Sequence, residues 1–200
     1  PCPAVGEVLK NFDPNNLCFY TRIYDEGKKS IFSDYLSSIY NIPEKQIILG
    51  YGGEDILKQV VHCFLSGKEK QKTLLIPKFS WWYYKSIADE VEGRSVLYPL
   101  YEEGNTFKYD FEAMKEAIRK ENPDMVYVMP SHQFPLGNVM PLRRRLELLQ
   151  WASEGEERYI IEDDHDSEFR YKGKPIPALQ GSDSNGKVIY TGTFSKSLAP

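Results

Sequence analysis

Cysteine is scarce in this 200-residue chain: Cys2, Cys18 and Cys63 are an odd number and show no Cys-x-x-Cys spacing. A reducing cytoplasm is therefore the expected compartment. Positive charge is not in excess. Lys and Arg total 25 against 29 Asp and Glu, a net charge of −4, which argues against direct nucleic-acid binding by this segment. No apolar run approaches the roughly 18 residues of a membrane span, and the opening Pro-Cys-Pro-Ala is no charged-then-apolar signal. Repeats, low-complexity tracts and strong linkers are also missing. With 41% hydrophobic and 27% charged residues, wholesale disorder is excluded.

Aromatics are plentiful, with 14 Tyr, 10 Phe and 3 Trp. They fit core and interface packing, or, in Ser80-Trp81-Trp82-Tyr83-Tyr84, a pocket for a flat ligand. Short β-branched runs alternate with helix-period stretches. Strands are predicted at 46–49, 73–77, 95–98, 125–129, 159–163 and 188–192, and helices at 30–40, 54–65, 81–91, 110–120 and 142–153. Asp110 reads as a helix N-cap, with Ala113, Met114 and Ile118 on one face. Runs such as Leu74-Leu75-Ile76 lack polar alternation and read as strands buried on both faces. This order predicts an α/β fold, a three-layer α/β/α arrangement around a mostly parallel sheet. Residues 181–186, Gly-Ser-Asp-Ser-Asn-Gly, read as a surface turn.

Ligands in such sheets sit at the carboxyl ends of the strands. Those ends here carry Gly50-Tyr51-Gly52-Gly53-Glu54, then Lys78-Phe79-Ser80-Trp81-Trp82, then Pro130-Ser131-His132-Gln133-Phe134-Pro135-Leu136-Gly137. The last two end in Glu162-Asp163-Asp164-His165 and Thr193-Phe194-Ser195-Lys196. Glycines entering a helix let amides meet a phosphate, though most such turns are only turns. Trp82 either stacks on a heterocycle or packs, and Asp163 either holds a ring nitrogen protonated or caps a helix. Lys196, flanked by hydroxyls after an apolar strand, has the setting of a Schiff-base nucleophile. Asp163 and Lys196 on successive strand ends match the arrangement that binds pyridoxal 5'-phosphate (PLP).

On these residues the chain resembles fold-type I PLP enzymes of the class I/II aminotransferase superfamily. Residues 1–124 are similar to histidinol-phosphate aminotransferases through Pro1-Cys2-Pro3-Ala4-Val5, Arg22-Ile23-Tyr24, Gly50-Tyr51-Gly52-Gly53-Glu54-Asp55 and Ile76-Pro77-Lys78-Phe79-Ser80. Residues 125–200 resemble the aminotransferase-like domain of MocR/GabR-type regulators. The carriers are the 130–137 loop, Glu162-Asp163-Asp164-His165-Asp166-Ser167-Glu168-Phe169-Arg170-Tyr171 and Gly192-Thr193-Phe194-Ser195-Lys196-Ser197-Leu198. A chimera joined near residue 125 and a single lineage with mixed features both fit.

The resemblance implies a PLP-dependent aminotransferase acting on an amino acid or 2-oxo acid, of amino-acid or histidinol-phosphate type. It implies catalytic roles for Lys196, as the aldimine lysine and proton shuttle, and for Asp163, as partner of the pyridinium nitrogen. Gly53, Glu54, Thr193 and Ser195 would hold the phosphate and Trp82 would stack on the ring. Tyr24 would reach the phosphate of a neighbouring subunit, so a homodimer is implied. The alternatives are a PLP-binding effector domain of a transcription regulator and an inert large-domain fragment. In domain terms, 1–45 would be an arm and helix, and 46–200 the PLP-binding large domain.

Three departures stand out. Phe134 occupies the place of the Asn that precedes Pro in aminotransferases, and His165 the place of the regulators' Tyr, leaving His165 as the candidate partner of the ring hydroxyl. The sequence ends four residues after Lys196, ahead of the family's last strand and small domain. Weak PLP binding without turnover is therefore expected of this chain alone. No metal site is expected. His62-Cys63 reads as helix core, His132 as loop packing or support for the cofactor site, and Arg143-Arg144-Arg145 as a solvated helix face.

Overall fold

Hydrophobic runs too short for helices, separated by amphipathic helical stretches, leave parallel pairing with helical crossovers as the way to bury both strand faces. The computed structural model takes this course. It describes residues 7, 10, 31–50, 52–67, 70–80, 83–104, 106–167, 169 and 177–193. The chain divides into two compact units, one of residues 1–56 with 194–200, the other Leu57–Thr193.

In the first unit α1 (Ile31–Tyr40) is followed by a 3-10 turn, Glu44–Gln46. Two short-range bonds fasten the pair: Ser33 Oγ donates to Glu44 Oε1 at 2.8 Å and Ser37 Oγ to the Ile42 carbonyl at 2.7 Å. The strand predicted at 46–49 does not form. Gln46 closes the 3-10 turn and Ile47 is extended, but residues 47–50 have no ladder partner among the described residues. An extended run without a neighbouring edge is not a strand. Helix α2 (Gly53–Leu65) starts in this unit.

The second unit holds the five-stranded sheet. Its strands are β1 (Thr73–Pro77), β2 (Arg94–Tyr98), β5 (Met125–Val128), β6 (Tyr159–Asp164) and β7 (Val188–Gly192), in the order β2-β1-β5-β6-β7 and parallel throughout. The crossover helices are α3 (Tyr83–Glu90), α4 (Phe111–Glu121) and α5 (Leu142–Ser153). Alternate strand residues enter two separate cores. Leu74, Ile76, Met125, Tyr127 and Ile161 pack with α2 and α3, through Leu57, Val61, Tyr84 and Ile87. Leu75, Val126, Val128 and Ile160 pack with α4 and α5, through Met114, Leu148 and Trp151. The expected three-layer α/β/α arrangement with a parallel sheet is what forms.

Asp110 caps α4, accepting from the Ala113 amide at 2.8 Å. An antiparallel hairpin, β3 (Leu100–Glu103) with β4 (Thr106–Tyr109), was not expected from the sequence. Two further expectations are corrected. His62 is not core: its ring is half-exposed and meets Glu90 on α3 at 3.2 Å, and Cys63 is exposed. Helical phase decides this, since Val61 and Leu65 take the buried stripe. Nor are Arg143–Arg145 one solvated face. Arg145 is 4% exposed and donates to the carbonyls of Met140, Pro177 and Pro130 at 2.9, 2.7 and 2.7 Å.

Candidate functional site at the strand ends

Glu162-Asp163-Asp164 closes β6, and strand alternation puts Glu162 and Asp164 on one face and Asp163 on the other. Glu162, fully buried, accepts from the amides of Leu179 and Gln180 at 2.7 and 2.8 Å. Asp164 accepts from the Ser167 amide at 3.0 Å, from the Ser167 hydroxyl and from the Tyr190 hydroxyl at 2.9 Å. Both acids therefore tie loops to the sheet. Asp163 lies on the opposite face. It accepts from the Tyr127 hydroxyl through Oδ2, and the Thr191 hydroxyl stands 3.4 Å from Oδ1. Among the described residues no lysine or arginine forms an ion pair with it. Burial pushes its carboxyl above the ordinary range, against the opposing effects of the Tyr127 bond and the His165 charge.

The loop after β5 supplies the other wall. Its Phe134–Pro135 bond is cis. The Phe134 ring, 53% exposed, meets the His165 ring edge-on with centroids 6.5 Å apart. His132 Nδ1 lies 2.8 Å from Asp166 Oδ1, and His165 Nε2 lies 3.4 Å from Asp166 Oδ2, so one carboxylate faces both imidazoles. Thr193 follows β7, whose Gly192 pairs in register with Asp164. Asp163, His165, Phe134 and Thr193 are thus placed at neighbouring strand ends.

Gly53 and Glu54 open α2 in the first unit. Space is open beside Gly52, at φ +100°, and beside Gly53, where an added Cβ would meet nothing within 4 Å. A helix start of this kind presents amides to an anion, although Glu54 and Asp55 add negative charge to the same turn. Lys196, Ser195, Trp82 and Tyr24 lie outside the described residues. Two side chains that sequence reasoning passed over are Tyr127 and Thr191. Only the register, Tyr127 against Ile161 and Thr191 against Asp163, shows that both flank the acid.

With this geometry in hand, the comparisons with known proteins place the chain. The model of the family described as aminotransferase class I and II matches residues 1–199, and the chain belongs to that family. Aromatic-amino-acid aminotransferase 1 of Thermococcus litoralis is 31% identical over the whole chain, which spans 49% of that protein. The uncharacterized HTH-type transcriptional regulator YhdI of Bacillus subtilis is 58% identical over 87 residues, 44% of this chain and 18% of the regulator. A close match over part of the chain beside a looser one over all of it accords with the two-part resemblance. Among solved structures, the α-aminoadipate aminotransferase LysN of Thermus thermophilus, complexed with N-(5'-phosphopyridoxyl)-L-leucine, superposes with a TM-score of 0.70 and 26% identity. That match covers 84% of this chain and 42% of LysN. The kynurenine aminotransferase of Pyrococcus horikoshii gives 0.68 and 28%, over 84% and 41% of the two chains. The chain spans about half the length, or less, of the relatives it matches.

Proposed function

We propose that residues 46–200 are the PLP-binding large domain of an aminotransferase acting on an amino acid and a 2-oxo acid, in the cytoplasm and as a homodimer. The observation that carries this is Asp163. It is a half-buried carboxylate at the end of an interior strand, held by hydroxyls and lacking a lysine or arginine partner among the described residues. Burying a charge is costly unless a counter-charge arrives. A cationic ring nitrogen supplies one, so the donor set fits PLP. Within the first unit, the open helix start at Gly52-Gly53 has the form that receives an anion.

When bound, PLP supplies the electron sink that stabilises negative charge at the substrate's Cα. The chain's own residues bind and orient it. Asp163 keeps the ring nitrogen protonated, and His165, beside the Phe134 ring, offers an imidazole nitrogen to the ring hydroxyl. By family membership, Thr193, Ser195 and the amides of Gly53 and Glu54 would take the phosphate, and Trp82 would cover a ring face. Lys196 would be the nucleophile and would move the proton at Cα. Tyr24 would reach the phosphate of a neighbouring subunit. For Lys196, Ser195, Trp82 and Tyr24 the support is sequence and family membership.

The 58% match to a regulator favours a second reading, a PLP-binding effector domain without turnover. One experiment separates them. PLP is titrated into the purified protein and followed by absorbance, and amino acids are then added with 2-oxo acid release as the readout. Saturable PLP binding, weakened at least about tenfold in Asp163→Asn, supports the site. Release of 2-oxo acid above the rate of free PLP supports the enzyme; spectral change without release fits the effector domain and equally the inert large-domain fragment. Absence of saturable binding contradicts both.

A further inference from the structure

Asp163 has one firm anchor among the described residues. Register places Tyr127 on β5 opposite Ile161 of β6, hence on the same sheet face as Asp163 and one diagonal step from it. The Tyr127 ring is 1% exposed and packs on Tyr84 of α3, with centroids 4.3 Å apart and planes at 43°. Its hydroxyl reaches Asp163 Oδ2. Thr191 is a weaker neighbour, because its single hydroxyl proton is shared between the Glu162 carbonyl at 3.3 Å and Asp163 Oδ1 at 3.4 Å. The other charges that act on Asp163 come from its own strand end, His165 and Asp164.

We infer that Tyr127 is a positioning residue: its buried hydroxyl pins Oδ2 of Asp163 and leaves Oδ1 as the oxygen offered to a bound cation. With Asp163 ionised, the polarity of this bond is fixed. A carboxylate only accepts, and burial pushes the Tyr127 phenol well above its ordinary range, so it stays a donor at any working pH. Packing against Tyr84 removes the ring's freedom before any ligand arrives, which lowers the entropic cost of holding the acid in one orientation. Tyr127 itself touches no ligand in this account. The inference rests on the proposed PLP site for its functional meaning, and on the described contacts alone for the clamp.

The test is a double-mutant cycle of Tyr127→Phe and Asp163→Asn on the purified protein, with two readouts. Tyr127→Phe keeps the ring and its packing and removes only the hydroxyl. The first readout is PLP affinity. Tyr127→Phe is expected to weaken it about tenfold, the scale of a charge-assisted hydrogen bond, and to have a much smaller effect in the Asp163→Asn background. The second readout, without PLP, is thermal stability against pH. Burial raises the Asp163 carboxyl in the folded state, so its contribution to stability falls as pH rises from the ordinary carboxylate range through the raised value. The Tyr127 bond favours the anion. Tyr127→Phe should therefore extend that fall to higher pH, and in the Asp163→Asn background its effect should not vary with pH. Equal effects in the two backgrounds, in both readouts, overturn the clamp, as does a pH profile unmoved by Tyr127→Phe. If the wild type fails to bind PLP, the functional reading falls and the pH profile alone decides the clamp.

Discussion

Three consecutive acids at the end of β6 show how position, not residue type, assigns a role. Glu162 is a structural acceptor for two amides. Glu162→Ala would leave the buried Leu179 amide and its neighbour without that partner, and we expect a loss of about 2–4 kcal/mol in chemical denaturation. Asp163 should behave oppositely. Its carboxyl is held above the ordinary range by burial, so the folded state binds a proton more tightly than the unfolded one, and ionisation at neutral pH works against folding. Asp163→Asn should therefore raise the melting temperature at pH 7 in the absence of PLP, and flatten its fall with rising pH, while weakening PLP binding. A site that lowers the stability of its empty scaffold is what a binding group predicts. A lower melting temperature in Asp163→Asn would make the acid a structural one. The sequence named Asp163 because it ends an apolar strand. The family motif singled it out from Glu162 and Asp164, but which face each acid takes is visible only once the register is known.

At the scale of elements, the strands that the sequence revealed best are those buried on both faces, such as Thr73–Pro77, whose five residues are all buried. The failures have physical causes. Residues 46–49 look like a strand but find no ladder partner among the described residues. Leu100–Tyr109 is a hairpin whose four-residue strands carry charges and lie outside the main sheet, so neither length nor apolarity marks it. In Arg143-Arg144-Arg145 composition suggested solvent, yet the helical turn directs Arg145 inward to three carbonyls. Arg145→Lys keeps the charge and loses the fork, and should cost about 2–3 kcal/mol in denaturant unfolding; a loss under about 0.5 kcal/mol would show that those carbonyls find other donors. Its neighbour Arg144 bonds Glu147 of the same helix at 2.8 Å, and Lys115 of α4 reaches Glu147 at 3.0 Å. Those bonds, the Arg144 one foremost, hold the Glu147 carboxyl down to about 2 from 4.5. A depressed carboxyl stabilises the fold above its ordinary value and loses that contribution as pH falls through the folded one. In acid titrations Glu147→Gln should therefore differ from wild type above pH 4.5 and converge with it near pH 2. A difference that persists at pH 2 would place its effect in packing instead.

For the whole molecule, an all-parallel sheet gathers strand ends on one edge, and that gathering turns scattered sequence motifs into a site. The fold and the Asp163 end of the site were legible in the sequence because buried strands and their terminal residues are local patterns. The Tyr127 anchor and the shared His132–Asp166–His165 cluster were not, because each joins residues more than thirty positions apart or depends on which face a loop side chain takes. Family membership covers residues 1–199, and the chain spans about half the length of the aminotransferase that it matches throughout. The central proposal is that the protein binds PLP through Lys196, with Asp163 as the partner of the ring nitrogen. The most direct measurement is to load the protein with PLP, reduce with borohydride and map the modified peptide by mass spectrometry. The account predicts a single covalent label on Lys196, abolished in Lys196→Ala and reduced at limiting PLP in Asp163→Asn. A label on Lys78 or on scattered lysines, or one unchanged in Lys196→Ala, would contradict it.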